Sequence, residues 1–296
     1  MRMLTEKLQF PEGPVVMPDG SVLAVEVRGG TLARVSLDGE VTRVADCGGG
    51  PNGAAIGPDG SVYVCNNGGF RWSENGGLVF PGEQPEGYTG GSIQQVDITT
   101  GEVTTLYTHC GEIQLRGPND IVFDTSGGFY FTDLGKSRPR ELDKGAVFYA
   151  TTDGSTIREV AFPMDHPNGV GLSPDGQTVY VAESTTARVW AWDIEGEGEL
   201  ANKRLIVSLP GVQYLDSLAI EACGNVCLAT LLTGAITVVS PEGEVVEVVK
   251  VPEPDPMVTN ICFGGPDLTT AYITSSGRGR LYETTWARPG LKLNYY

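Results

Sequence analysis

Six short polar side chains recur at equivalent positions of a repeated pattern, and together they have the chemistry of a cation-binding centre. Two of them are carboxylates and four are neutral carboxamides, so they offer hard oxygen atoms with a total charge of −2. The six residues are Glu12, Asn52, Asn119, Asn168, Asp216 and Asn260. Oxygen donors of this kind match Ca²⁺ best, with Mg²⁺, Mn²⁺ or Zn²⁺ as alternatives. The pattern predicts a divalent-metal site, provided that the fold brings these residues together.

A constant offset links each of the six residues to a turn. A Pro-Asp-Gly turn follows in three copies, and its aspartate lies seven positions after the leading residue, as Asp19 does after Glu12. The other three copies keep the offset with different residues at the turn. An alternative interpretation is that Asn-Gly and Asn-Asp pairs simply form good turns. That alternative accounts for Asn52 and Asn168, but it does not account for Glu12 in the same register.

Histidine and cysteine do not support another kind of metal centre. The chain has only two histidines, His109 and His166, so a histidine-rich zinc site is excluded. Its six cysteines contain no Cys-x-x-Cys pair. We expect them to be the free thiols of a cytoplasmic protein, because no signal peptide is visible at the N-terminus.

The elements that must position the six residues are short β-strands. An alternating apolar strand follows each turn, a third strand follows it, and several copies add a more polar fourth strand, as in residues 22–25, 32–35 and 41–44. The leading residues are 40, 67, 49, 48 and 44 positions apart. Four-stranded units at this period predict an all-β, six-bladed β-propeller with a central metal site. We interpret residues 1–296 as a single domain of this kind.

Two segments lie outside the repeat. Residues 4–10 are predicted to supply the outer strand that closes the last blade. The longest spacing contains an insertion, residues 70–91, which is rich in glycine and carries Trp72, Phe80 and Tyr88. A long aromatic loop beside a pocket is typical of a lid, but a plain surface excursion fits the same composition.

Composition restricts the partners that the chain can have. It contains 296 residues, of which 41 are glycine, and its net charge is −17. So acidic a protein is not expected to bind nucleic acid or an anionic membrane surface, because both are polyanions. No apolar run approaches the length of a membrane span. The expected partner is a small molecule, and the oligomeric state is not predicted.

Four phrases around the leading residues add a family resemblance. They are Phe10-Pro11-Glu12-Gly13-Pro14, Gly117-Pro118-Asn119-Asp120, Pro167-Asn168-Gly169-Val170 followed by Ser173-Pro174-Asp175-Gly176, and Asp216-Ser217-Leu218. Their content and order resemble the senescence marker protein 30/gluconolactonase family, which includes luciferin-regenerating-enzyme-like proteins. The resemblance covers almost the whole chain.

This resemblance implies roles for individual residues. Glu12, Asn168 and Asp216 would bind the metal, and Asn119 would either join them or orient the substrate. Asp216 would also be the catalytic base, either by taking a proton from water or by direct attack. Arg116 is the candidate for a substrate contact, one residue further from Asn119 than in the animal enzymes of the family.

The leading hypothesis is a gluconolactonase-like, metal-dependent lactonase, with an aldonolactone as substrate. The chain has no Gly-x-Ser-x-Gly motif, which excludes the usual serine esterase. A second hypothesis is a hydrolase of the phosphotriesterase or fluorophosphatase kind, since related propellers with the same centre carry out this chemistry. A third is a non-catalytic, regulatory propeller with a structural ion.

Overall fold

Six four-stranded antiparallel sheets make up the computed structural model, which describes residues 1–295. They confirm the predicted all-β, six-bladed propeller, and the blades follow one another along the chain. The last residue of the predicted 1–296 domain lies outside the described part.

The strands of each blade follow the same order, from the central channel outwards. The innermost strands are Pro11–Val16, Pro51–Ile56, Pro118–Phe123, Pro167–Leu172, Tyr214–Ile220 and Val258–Gly264. The second strands are Val22–Glu26, Val62–Asn66, Gly128–Asp133, Thr178–Glu183, Val226–Leu231 and Thr270–Ser275. The third strands are Thr31–Val35, Ser92–Val96, Gly145–Thr151, Arg188–Gly196, Ala235–Val239 and Arg280–Thr285. The outer strands of the first five blades are Val41–Asp46, Val103–Tyr107, Ile157–Met164, Glu199–Ser208 and Val245–Lys250.

The outer strand of the sixth blade comes from the other end of the chain. Arg2–Thr5 pairs antiparallel with Arg280–Thr285, and Arg2 lies opposite Glu283. The prediction that the N-terminal segment closes the last blade is therefore confirmed, although the strand begins and ends earlier than residues 4–10. Pairing of the N-terminal strand with the last strand of the sixth blade closes the ring of blades.

Aspartate side chains form the predicted turns between the first and second strands. Asp19 Oδ1 accepts a hydrogen bond from the backbone N–H of Ser21 at 3.1 Å, and Asp59 Oδ1 accepts one from Ser61 at the same distance. Gly20, with a φ of +83°, adopts the left-handed conformation that glycine tolerates best. Because these turns set the strand register, each leading residue lies at the far end of its innermost strand from the turn.

The remaining elements are short. Among the described residues, they are the hairpins Trp72–Asn75 with Leu78–Pro81, His109–Cys110 with Ile113–Gln114, and Ser137–Arg138 with Glu141–Leu142, and one 3₁₀ turn, Ser276–Arg278. No helix within residues 1–295 is long and apolar enough to cross a membrane.

The hydrophobic core lies between neighbouring sheets, and a cavity of about 220 Å³ follows the channel between the innermost strands. Residues 291–295 cross the end of this cavity opposite the leading residues. Leu291 N donates to Ile220 O and Asn294 Nδ2 donates to Phe123 O, each at 2.8 Å. The tail therefore spans the fifth and third blades.

Candidate metal centre

The six leading residues lie at one end of the central channel, and all of them are buried. Glu12 and Asn119 are only 2% exposed. Asn260 Nδ2 donates to Glu12 Oε2 at 2.9 Å, which joins the sixth blade to the first. Asp216 is close enough to Glu12 for the charge of one to act on the other. Residues that are far apart in the sequence are thus brought into one centre.

A β-bulge at the start of each innermost strand aims these side chains. The register between the first two strands shifts between Glu12 and Val15, between Pro118 and Ile121, and at the matching place in the other four blades. A bulge turns the side chains of the strand and often lies next to a functional site. The offset of seven residues places the same bulge at the channel in every blade.

The glycines that follow the leading residues serve close packing between blades. A Cβ atom on Gly53 would lie 2.5 Å from Asn119 O, and one on Gly169 would lie 2.6 Å from Leu218 N. Both glycines lie inside innermost strands, and neither has a left-handed φ. The interpretation of the Asn-Gly pairs as turns is therefore wrong. Glycine is needed here because the backbones of adjacent blades approach closely.

A polar side chain at the end of the second strand holds the backbone just before four of the leading residues. Asp133 accepts hydrogen bonds from the backbone N–H groups of Arg116 and Gly117, both at 2.7 Å. The equivalent acceptors are Glu26 for Gln9 N, Asn66 for Gly50 N and Glu183 for Asp165 N. These acceptors fix the chain two or three residues before each side chain enters the channel.

Two amide oxygens of the centre have no hydrogen-bond donor among the described residues. They are Oδ1 of Asn119 and Oδ1 of Asn168, and both are buried. The nitrogen of Asn168 is engaged instead, because its Nδ2 donates to Ser184 Oγ at 3.3 Å. A buried acceptor without a donor costs about 1–3 kcal/mol. Such atoms can be satisfied by a bound cation or by a hydrogen-bond donor of a ligand.

Three buried acids share this end of the channel. Burial raises the pKa of Glu12, and burial together with the charge of Glu12 raises the pKa of Asp216 well above its ordinary value. Burial, with a smaller effect of Glu12, raises the pKa of Asp120 to about 7. No lysine, arginine or histidine within residues 1–295 counteracts these effects. Hydrogen bonds from neighbouring amides partly offset the shifts, but the three acids lie together without a basic side chain among the described residues to balance them.

Asp120 was not among the predicted site residues. Its Oδ1 accepts from Ile121 N at 2.9 Å and its Oδ2 from Val170 N at 3.3 Å, so it links the third and fourth blades. The only signal in the sequence is its place directly after Asn119. That signal could not separate a channel residue from a turn residue.

Arg116 differs from the other predicted site residues because it is exposed. Its backbone N–H is held by Asp133, and its carbonyl oxygen accepts a hydrogen bond from the hydroxyl of Tyr88. The structure thus fixes its main chain near the centre. Contact between its side chain and a substrate stays a prediction.

These observations fit a hard divalent cation. Within residues 1–295, no three His, Cys, Asp or Glu side chains form a group that could hold a metal. A cation at this end of the channel would therefore have to meet amide as well as carboxylate oxygens, and the candidates are Glu12, Asp216 and the Oδ1 atoms of Asn119 and Asn168 that lack a donor within residues 1–295. Carboxylate and amide oxygens together are a donor set that Ca²⁺ accepts.

Comparison with known proteins agrees with this architecture. A gluconolactonase of Zymomonas mobilis is 27% identical over 243 residues, which are 77% of this chain but only 61% of that protein. The diisopropyl-fluorophosphatase of Loligo vulgaris is 26% identical over 305 residues, covering 98% of this chain and 93% of the relative. A solved structure of regucalcin, a calcium-binding protein from Agrobacterium tumefaciens, has a TM-score of 0.78 and 17% identity. It covers 100% of this chain and 97% of its own, and it supports the fold.

The family assignment rests on the extent of one match. The family model described as the SMP-30/gluconolactonase/LRE-like region matches residues 10–277. This span contains all six leading residues and all four phrases that carry the resemblance. The chain therefore belongs to the SMP-30/gluconolactonase/LRE-like family.

Proposed function

We propose that this chain is a metal-dependent hydrolase that opens a small lactone, with an aldonolactone as the substrate. The observation that carries the proposal is the buried oxygen set, in which two carboxylates without a basic partner lie with two amide oxygens that lack donors within residues 1–295. The similarity to a gluconolactonase supports lactone hydrolysis in particular.

The proposed ligands of the cation are Glu12, Asn119, Asn168 and Asp216, and Ca²⁺ is the proposed ion. All four side chains offer oxygen, which Ca²⁺ prefers and which also admits Mg²⁺, Mn²⁺ or Zn²⁺. The description of the similar regucalcin structure as calcium-binding supports the choice of ion. When bound, the cation would supply Lewis-acid polarisation of the ester carbonyl.

Asp216 is the proposed base. It would take a proton from the water whose oxygen attacks the carbonyl carbon of the lactone. The bond between this carbon and the ring oxygen then breaks, and the ring oxygen takes up a proton, so that lactone and water give a hydroxy acid. Direct attack by the Asp216 carboxylate is the alternative route: it would form a mixed anhydride as the bond to the ring oxygen breaks, and water would then hydrolyse the anhydride at the Asp216 carbonyl. A single turnover in H₂¹⁸O tests this route, because ¹⁸O then enters the Asp216 carboxylate, whereas direct attack by water labels only the product.

Asn119 and Arg116 are the proposed substrate contacts. The amide of Asn119 adds a dipole without adding charge to an already acidic centre. Arg116 lies three residues before it, with its main chain held by Asp133 and Tyr88. This support leaves the guanidinium free to meet the hydroxyl groups or the ring oxygen of a lactone.

A second candidate function is hydrolysis of phosphotriesters or fluorophosphates. It is favoured by the similarity to the squid diisopropyl-fluorophosphatase, which extends over nearly the full length of both chains. The same centre suits both reactions, since each develops negative charge on an oxygen that a cation can stabilise.

One screen tests these proposals. The protein is stripped of metal with a chelator, and Ca²⁺, Mg²⁺, Mn²⁺ and Zn²⁺ are added back separately. Turnover of glucono-δ-lactone, of other aldonolactones and of diisopropyl fluorophosphate is then measured. We expect lactone opening that depends on Ca²⁺. Turnover of the fluorophosphate alone favours the second candidate.

The screen also decides whether the centre is catalytic. If Ca²⁺ raised the melting temperature while no ester of either class were hydrolysed, the protein would be a regulatory propeller with a structural ion. Full lactonase activity after complete removal of metal would rule out metal dependence.

A further inference from the structure

A long segment leaves the second blade and crosses the end of the channel where the candidate centre lies. We name residues 67–91 the mouth segment. The ring of Trp72 lies 5.0 Å from that of Phe10, two residues before Glu12, and Glu74 forms an ion pair with Arg28 in the first blade. Leu78 lies against Gly277 of the sixth blade: a Cβ atom added to this glycine would be 3.2 Å from Leu78 Cδ2.

The mouth segment then returns to the third blade. Gln84 N donates to Ser137 O at 2.9 Å, and the hydroxyl of Tyr88 donates to Arg116 O. The segment thus contacts the first, third and sixth blades around the channel, although it belongs to the second. This path is the one that a lid over the mouth would take, and it favours the lid over the plain surface excursion for residues 70–91.

Glycines that could serve as hinges lie at both ends of the mouth segment. Gly68 and Gly69 at its start have φ angles of +76° and +94°, and Gly90 near its end has a φ of +120°. Glycine crosses easily between left- and right-handed conformations, so these positions permit the segment to swing unless something fixes them.

Lys136 of the third blade fixes the first hinge. Its Nζ donates to Gly69 O at 2.7 Å and to Asn67 Oδ1 at 3.3 Å. The same ammonium group lies 4.1 Å from the centre of the Phe70 ring and 5.4 Å from that of Tyr88. The Lys136 side chain therefore contacts the first residues of the mouth segment, the ring of Phe70 and, near the other end of the segment, the ring of Tyr88.

The burial of this lysine argues against a role in packing alone. Lys136 is 1% exposed, and it forms no ion pair with a carboxylate among the described residues. Burial lowers its pKa to about 7, with Asp133 acting in the opposite direction. A buried, unpaired ammonium group is costly, and a methionine or leucine would fill the same space without that cost. What the lysine adds is directed hydrogen bonding and cation–π attraction.

We propose that Lys136 is a positioning residue that fastens the mouth segment across the channel and thereby sets which lactones reach the centre. The part that concerns lactones rests on the proposed function. The fastening itself does not, because it is a property of the fold.

The first experiment measures amide hydrogen exchange of residues 67–91 in the metal-loaded protein and in the Lys136→Met variant. We expect exchange in the mouth segment to become about tenfold faster, which corresponds to about 1.4 kcal/mol of lost local stability. The innermost strands should keep their protection. Lys203→Met is the matched control, since Lys203 Nζ lies 4.3 Å from the ring centre of Trp190 in the fourth blade, away from the mouth.

The second experiment measures kcat and KM of the same proteins with γ-butyrolactone and glucono-δ-lactone. We expect Lys136→Met to raise KM for its better substrate about tenfold with little change in kcat, and to shift the preference between the two lactones. A role in stability alone would lower the melting temperature without splitting KM from kcat. Lys203→Met should change neither constant.

The two experiments fail in different ways. Unchanged exchange of residues 67–91 in a folded Lys136→Met protein overturns the fastening. Faster exchange with unchanged lactone preference overturns the part on specificity. If the parent protein opens no lactone, the proposed function fails, while the exchange result still stands.

If Lys136→Met does not fold, Tyr88→Leu replaces it, because this change removes a ring and a hydroxyl group from the mouth segment itself. Unchanged exchange of residues 67–91 in that variant overturns the proposal.

Discussion

Asp216 lies near two other buried acids, and these neighbours decide what its replacement should do. Burial raises its pKa, and the charge of Glu12 and, to a smaller extent, that of Asp120 raise it further. Asp216→Asn removes the charge of Asp216 and the proposed base, while it keeps the size of the side chain. We expect kcat for lactone opening to fall about 10³-fold, within the range that a general base contributes.

The control for this change is Asp193→Asn, because Asp193 is a half-exposed aspartate that pairs with Arg204 on the fourth blade. It should leave kcat unchanged. Both variants are assayed at saturating Ca²⁺ to separate loss of the base from loss of metal. Activity of Asp216→Asn near that of the parent protein would exclude Asp216 as base.

The buried acids also give the metal-free protein a definite dependence on pH. An acid whose pKa is higher in the folded than in the unfolded chain binds protons on folding, so it destabilises the fold increasingly as pH rises between the two values. For Asp120 this window runs from 3.8 to about 7. We expect the melting temperature of the metal-free protein to fall across this window. Added Ca²⁺ should raise it by an amount that grows with pH, which calorimetry with Ca²⁺ or with a chelator would measure.

Asp120→Asn tests the same point with one acid removed. The difference between the melting curves with and without Ca²⁺ should then depend less steeply on pH. A Ca²⁺ effect of the same size from about pH 4 to about pH 7 would contradict the linkage between protons and metal.

At the scale of single residues, the sequence predicts the centre better than its surroundings. Glu12, Asn119, Asn168 and Asp216 are recognisable because one register repeats around a carboxylate or an amide. Lys136 has no such signal, since a lysine after a strand is expected on the surface. Its burial depends on the path of the mouth segment, which no local pattern predicts.

Among the elements, the second strand of the third blade has an aspartate near each end that accepts hydrogen bonds from backbone N–H groups. Asp133 at one end accepts from the backbone of Arg116 and Gly117, whereas Asp124, in the turn that precedes its other end, accepts from Ser126 and Gly128. Only the first pair lies next to Asn119. We expect Asp133→Asn to weaken Ca²⁺ binding by about 1–3 kcal/mol, because the backbone that carries Asn119 loses charged acceptors.

Asp124→Asn is the matched control, since it removes the same kind of acceptor from the opposite end of the ring. Titration calorimetry with Ca²⁺ and thermal unfolding separate the two effects. Both variants should melt at a lower temperature, and only Asp133→Asn should bind Ca²⁺ more weakly. Equal Ca²⁺ affinity in both would show that the Asp133 acceptors do not support the centre.

The strands themselves are largely predictable, because turn and alternation mark them together. Val22–Glu26 and Thr31–Val35 agree with the predicted residues 22–25 and 32–35 to within a residue. The outer strands of the third and fourth blades, Ile157–Met164 and Glu199–Ser208, lack a clear alternation of apolar residues and were not predicted. The bulges were not predicted either, since they depend on pairing with the second strand.

For the whole molecule, the repeat supplies six equivalent positions, but the structure uses them differently. Both ends of the Asn260 amide are hydrogen-bonded within the protein: Oδ1 accepts from Ile261 N at 2.7 Å, and Nδ2 donates to Glu12. In the part of the chain that the structure describes, Oδ1 of Asn119 and of Asn168 has no hydrogen-bond donor. The centre is therefore asymmetric within a nearly symmetric ring, and Asn260 positions Glu12 across the joint between the last blade and the first.

That joint also involves the sixth blade, whose outer strand is supplied by the N-terminal residues, so we expect ring closure and cation binding to depend on each other. Removing Arg2–Thr5 deletes the outer strand of the sixth blade and loosens the joint that Asn260 and Glu12 span. We expect the melting temperature to fall by several degrees, given about 2–4 °C per kcal/mol for chains of about 150–250 residues, and Ca²⁺ to bind more weakly. Removing the residues from 292 onwards is the control, because this tail crosses the other end of the channel. It should lower the melting temperature while Ca²⁺ affinity stays the same, and a weaker Ca²⁺ affinity in both truncations, or in neither, would disprove the coupling.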